Sequence, residues 1–354
     1  MNRLTGLTAV LAVGTCSLLT QTLRAGGLEE RQIPADAKWV VHFDLDAMSD
    51  GAMIEVMKEK KPDLIEKIKA KASERYGIDI NEDLRSATFY GTSFEPHTGV
   101  MVLNSKYDRT KLESRLTEKG ATQSKFHDYT IYTMEDKNSG RQEQVALKPV
   151  EGQDIAKQQD EAAHRNAKSA HQHAKEMNHE KVFVLKDETH LIAASSEELA
   201  KSAISLLDGE ESDTLRKRSD LLAGYKKGAT IYGSAVDLNT IERPGGLFEI
   251  LKQHKQISYV AGQENGEFFE HMILEADSPA VSRKMEEVVE GMVAAGKLWA
   301  GESRELKKVM RDVKVDRKGK TLEVHFDADA KDVVNALDVV WERREELMNF
   351  DDKQ

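Results

Sequence analysis

His42, Asp44 and Asp46 are the first residues whose types and spacing could do chemistry. They alternate through Val40-Val41-His42-Phe43-Asp44-Leu45-Asp46, so an extended backbone puts all three on one strand face. His325, Asp327 and Asp329 repeat that spacing near the other end of the chain. Imidazole with carboxylates suits zinc or manganese, and carboxylates alone suit calcium. A shared metal site, and a metal-assisted hydrolase built on it, requires the two strand ends to meet. The simpler reading is two solvated polar strand faces.

Other constellations carry less. His164, His171, His173 and His179 form a histidine-rich tract. On a helix His164 and His171 align while His173 points away from His171, which gives weak, pH-dependent metal binding and no dedicated site. Gly291 to Lys297 has the first seven positions of a phosphate-binding loop, but Leu298 stands where the magnesium-binding hydroxyl belongs. No G-x-S-x-G, H-E-x-x-H or G-x-G-x-x-G motif is present.

Asp44-Leu45-Asp46 after an apolar strand resembles the first motif of the haloacid dehalogenase phosphatases. The resemblance implies Asp44 as the attacking carboxylate and Asp46 as acid/base. That family has Thr or Val two places after the second Asp, and Met48 stands there. Its paired-acid magnesium motif has no counterpart behind a strand, since Asp351-Asp352 lie in the tail. Asp46 and Asn239 as N-caps of the turns that follow account for both places at once. No catalytic, cofactor-binding or metal residue is assigned, and no cofactor is implied.

The elements that must position these residues show a repeat. Laying Asp44 on Asp237 pairs Leu45 with Leu238, Asp46 with Asn239 and Met48 with Ile241. Each half reads as β-α-β-β-α-β-β-α, a ferredoxin-like core with an added strand and helix. The expected class is α+β with two related halves. The first half covers 28–208 and contains a mobile, Ala/Gln/His-rich insertion at 138–180. A linker at 209–219, a second half at 220–348 and a tail at 349–354 complete the chain. Ser278-Pro279 reads as an N-cap and first-turn proline. The helix it opens carries Val281, Met285, Val288, Met292 and Trp299 at near-helical spacing, which predicts one buried stripe. Ser195 with Glu198 reads as a capping box for an earlier helix.

Met1-Asn2-Arg3, the 13-residue apolar run Leu7 to Leu19 and the small residues Ala25-Gly26-Gly27 have the build of a secretory signal peptide. Residues 1–27 are therefore expected to be a leader, cut after Ala25 or Gly27. The run is too short to cross a bilayer core, and no span is expected in the mature chain. Cys16 is the one cysteine and lies in the leader, so the mature chain holds no disulfide and no thiol ligand. The formal charge of -11 falls to -13 when Arg3 and Arg24 leave with the leader. That sign disfavours nucleic acid and anionic membrane surfaces as partners.

The run Leu221-Leu222-Ala223-Gly224-Tyr225-Lys226-Lys227-Gly228-Ala229-Thr230, leading into Ala235-Val236-Asp237-Leu238, resembles a stretch in exported bacterial proteins of unknown function. Ile33-Pro34-Ala35-Asp36-Ala37 is similar to their approach segment. The resemblance implies export, to the periplasm or beyond, and a duplicated α+β build. It carries over no site residue. The expected function is a non-enzymatic binding or envelope-associated interaction protein, with an unidentified protein or small ligand as partner. The alternative is the metal-assisted hydrolase.

Overall fold

The computed structural model describes residues 26–49, 51–60, 83–95, 98–135, 180–242 and 247–351, with a few helical positions between 62 and 73. Residues 1–25 of the expected leader, most of the expected insertion at 138–180 and the histidine tract lie outside the described residues.

The alternating stretch around His42 is β1 (Trp39–Asp44), and it runs into α1 (Leu45–Ser49) and α2 (Ala52–Lys60). β2 (Leu84–Gly91), β3 (Gly99–Ser105), α3 (Arg109–Glu118), β4 (Thr122–Phe126) and β5 (Tyr129–Glu135) follow. Next come β6 (Glu180–Leu185), β7 (His190–Ala194), α4 (Glu197–Asp208), β8 (Ala229–Val236) and α5 (Leu247–Leu251). The chain continues with β9 (His254–Glu264), β10 (Glu267–Ala276), α6 (Pro279–Ala300) and α7 (Arg304–Arg311). It closes with β11 (Val313–Lys318), β12 (Thr321–Asp329) and α8 (Ala330–Asp351).

The twelve strands among the described residues join one antiparallel sheet in the order β11-β12-β10-β9-β8-β1-β2-β3-β7-β6-β5-β4. The class is α+β. The expected ferredoxin-like core is not the strand order found. That core splits its first two strands around a third, whereas β1 and β2 are direct antiparallel neighbours. As antiparallel neighbours, β1 ends and β2 begins at the same end of the sheet. A strand the sequence pattern did not reveal, β4, forms a hairpin with β5 across His127-Asp128. Its composition, Thr-Gln-Ser-Lys-Phe, has too little alternation to read as a strand.

β1 lies between β2 and β8, with Val40 opposite Tyr90 on one side and Ser234 on the other. The main core gathers Ile33, Val40, Val102, Ile131, Ile192, Ile204, Leu215 and Tyr232. Tyr232 is fully buried and its hydroxyl donates to the Leu221 carbonyl at 2.6 Å, tying the 221–225 turns to the sheet. Pro34 bridges Thr214, and the amide of Leu215 donates to Ile33. The approach segment and the stretch after α4 therefore pack as a pair.

Local signals set the helix ends, with one shift. Ser196, not Ser195, caps α4 by accepting from Leu199, while Ser195 Oγ donates to the Gly99 carbonyl. Gly209 ends α4 in the left-handed region at φ 75°, which a residue with a Cβ adopts only under strain. Ser278 caps α6 with Pro279 in its first turn.

The stripe expected to be buried on α6 is half-buried at Val281 and Met285 and exposed beyond them. Val288, Met292 and Trp299 are 46%, 68% and 50% exposed. The side that docks is Ser282, Glu286, Val289, Val293, Gly296 and Ala300, also at helical spacing. Glu286 is held by Arg317 of β11 at 2.6 Å, and Gly296 lies against Met310 of α7. The docking side is a mixed stripe beside the apolar one, and its small residues allow the closer approach. Among the described residues no helix is long and apolar enough to cross a membrane.

Candidate functional site

The two strand-end sets do not meet. β8, β9 and β10 separate β1 from β12, so four strand spacings of about 4.8 Å put His42 roughly 19 Å from His325. Each set has its own structural role.

His42 is buried, at 1% exposure, between Thr88 of β2 and the chain at Gly26. Its Nε2 lies 2.8 Å from the Gly26 carbonyl and its Nδ1 lies 2.9 Å from Thr88 Oγ1. A carbonyl can only accept, so the proton sits on Nε2 and Nδ1 accepts from the Thr88 hydroxyl. Both ring nitrogens are used, and none is left for a metal. Burial pushes the imidazole down to about 4, opposed by the hydrogen bond to Gly26 and by the charge of Glu29. The ring is neutral at pH 7.

Asp44 is the true cap of the following turn. Its Oδ1 accepts from the amide of Ala47 at 2.9 Å, so the capping residue lies two places before the expected Asp46. Burial raises the Asp44 carboxyl above its ordinary range. A Cβ on Gly26 would stand 2.2 Å from Asp44 Oδ1, so only glycine allows this approach. Asp46 sits on α1, off the strand face, with Arg85 3.9 Å away. The counterpart places behave differently. Asp237 has φ 54° and makes no side-chain cap, so the pairing of Asp46 with Asn239 as caps does not hold. Asp329 accepts from the amide of Lys331 at the start of α8, and Asp327 is exposed.

His325 belongs to a different constellation. The register of β10 against β12 sets His271 directly opposite it, and their rings stack at 3.9 Å between centroids. Glu323, two residues before His325 and on the same face, brings Oε2 to 3.2 Å from His325 Nε2. One ligand atom from each of His271, Glu323 and His325 lies within 4.8 Å of the others. His271 Nε2 is shielded from solvent and has no hydrogen-bond partner. Burial and then the neighbouring His325 lower the His271 ring, against the opposite pull of Glu323 and Asp327. Glu323 could have been read from the two-residue spacing. His271 could not, because nothing local says that β10 pairs with β12, or in which register.

No family model and no curated protein matches the chain. Among solved structures, crystal form I of TP0453 aligns with TM-score 0.41 and 9% identity over 88% of this chain and 97% of that one. Crystal form III of the same protein aligns with TM-score 0.42 and 9% identity over 88% of this chain and 98% of that one. A likeness this distant carries no argument about this chain.

The His42 geometry has a consequence for stability. Below about pH 6.5 the unfolded chain binds a proton that the folded His42 refuses until about pH 4. Stability therefore falls as pH drops through that window, by about 3 kcal/mol in all. Asp44, with its raised value, works in the opposite sense, so the comparison needs a variant. Urea unfolding at pH 7 and pH 5 should show the parent losing more stability than His42→Gln. Equal losses would mean that His42 is not the buried neutral group described.

Proposed function

We propose that the chain is an exported, non-catalytic interaction protein that engages its partner through the outer side of α6. One observation carries the reading: Val288, Met292 and Trp299 stand exposed along one side of a 22-residue helix, with Leu298 83% exposed beside them. An apolar stripe of this kind is costly in water and usually marks a surface that is covered in use. The strand-end acids support the same reading by subtraction, because His42 and Asp44 are engaged in hydrogen bonds that hold the fold. The hydrolase alternative loses its shared site with the distance between β1 and β12.

Two related halves belong to this proposal, as do the boundaries 28–208 and 220–348 about the segment 209–219. Counting outward from the β1–β8 seam, the strands run β1-β2-β3-β7-β6 one way and β8-β9-β10-β12-β11 the other. That is one order met twice, with the β4–β5 hairpin added at one end. With Asp44 laid on Asp237, the pairing of Val40 with Ser234 and Val41 with Gly233 centres a two-fold between the halves. Duplication and a β1–β1-like seam account for both.

Export is proposed with a cut after Ala25. The Gly26 carbonyl is the partner of His42 Nε2, and a cut after Gly27 would remove it. A chain beginning at Gly26 also sets its new ammonium group within about 4.7 Å of Asp44 Oδ1, by the geometry of the backbone around the missing Cβ. Intact mass of the processed protein should place its first residue at Gly26. A first residue at Leu28, or an unprocessed chain, would contradict this.

The α6 reading is tested with a photo-crosslinking residue at position 292, compared with one at exposed, polar Glu267. Position 292 should give a discrete adduct in cells that export the protein, and Glu267 should not. The same adducts from both positions, or none from 292, would remove α6 as the contact surface.

A further inference from the structure

We propose that His271, Glu323 and His325 form a binding site for one divalent late first-row transition metal ion, zinc(II) or copper(II). Two imidazoles and a carboxylate are the donor set these ions prefer over the oxygen-only sets of calcium and magnesium. Three features make the cluster more than a chance meeting of polar side chains. The register of β10 and β12 fixes His271 and His325 opposite each other on adjacent strands, so their approach is set by the sheet. His271 Nε2 is withdrawn from solvent with no hydrogen-bond partner, a donor atom held ready and unsatisfied. The rings stack at 3.9 Å between centroids, which holds the two imidazoles side by side over one point of the sheet face.

The geometry needs little adjustment. Ligand atoms on a tetrahedral zinc at about 2.1 Å stand about 3.4 Å apart, against the 4.8 Å that bounds the present set. Small χ rotations of half-buried side chains close the difference. The charged groups on the same face are Asp327 beside His325 and, on β11, Lys314 opposite His325 and Asp316 opposite Glu323. The two acids favour a cation and Lys314 opposes it. α6 is held to the other face by Arg317, so it does not cover the cluster. Three protein ligands leave coordination positions open to water or to a donor from a partner.

The test uses the full chain without an affinity tag and titrates zinc(II) and copper(II) separately by calorimetry. The histidine tract at 164–179 is a second source of binding, and His271→Ala and His325→Ala leave it intact. Each variant should lose one tight equivalent of metal. Glu323→Gln should weaken that equivalent by about 10-fold or more, since even outer-shell changes cost that much at metal sites. Imidazole nitrogen shifts of His271 and His325 in the parent give a reading that does not depend on variant folding, and both should move with the first equivalent. Unchanged stoichiometry and affinity in both alanine variants, or shifts confined to other histidines, would overturn the site.

Discussion

The structure depends on the pairing of β1 with β8. β1 uses both edges, giving Trp39 to Phe43 partners from Ile231 to Ala235 on one side and from Ala87 to Gly91 on the other. Without this pairing the sheet would fall into a seven-strand and a five-strand piece, each with an open edge of unpaired amides and carbonyls. With it, the free edges are β4 and β11. β11 alternates Lys314, Asp316 and Lys318 outward, a charged edge that discourages further strand addition. The seam also explains why the first acidic set is structural. His42 sits on the central strand, under the approach segment and between Thr88 and Tyr232, where a buried imidazole must be fully hydrogen-bonded or pay for its burial.

Much of the architecture was legible because it is encoded locally. Alternation located β1, β8 and β12, and Ser278-Pro279 and Gly209 set helix ends through the backbone groups they satisfy. Expectation and structure differ where two local solutions compete. Asp44 and Asp46 are both good caps, and the chain uses Asp44 because the strand ends there. α6 has an apolar stripe and a small-residue stripe beside it, and packing uses the one with Ser282, Gly296 and Ala300, where close approach is possible. The His271–His325 pair was out of reach for another reason. Its residues are brought together by register between strands separated by two helices and β11, and register is a tertiary property.

What the fold leaves over is concentrated at one margin of the sheet. The His271–Glu323–His325 cluster lies on one face of β10 and β12. Arg317, alternate to that face on the neighbouring β11, holds α6 on the other. The seam and the strands β1 to β7 are dense with buried side chains, including Val100, Val102, Ile131 and Ile192. The β10–β12–β11 margin instead carries half-exposed imidazoles on one side and exposed Met292 and Trp299 on the other. In a protein whose central strand is committed to stability, this margin has both the chemistry and the exposure to meet a ligand or partner.

Native-state hydrogen exchange tests the role of the seam most directly. Amides of Trp39–Asp44 and Ala229–Val236 should be among the slowest in the chain and should exchange only through global unfolding, with β2 and β9 opening at the same free energy. If β8 to β12 open together at a lower free energy than β1 to β7, the two sets of strands are separate units and the β1–β8 pairing is not what holds the molecule together.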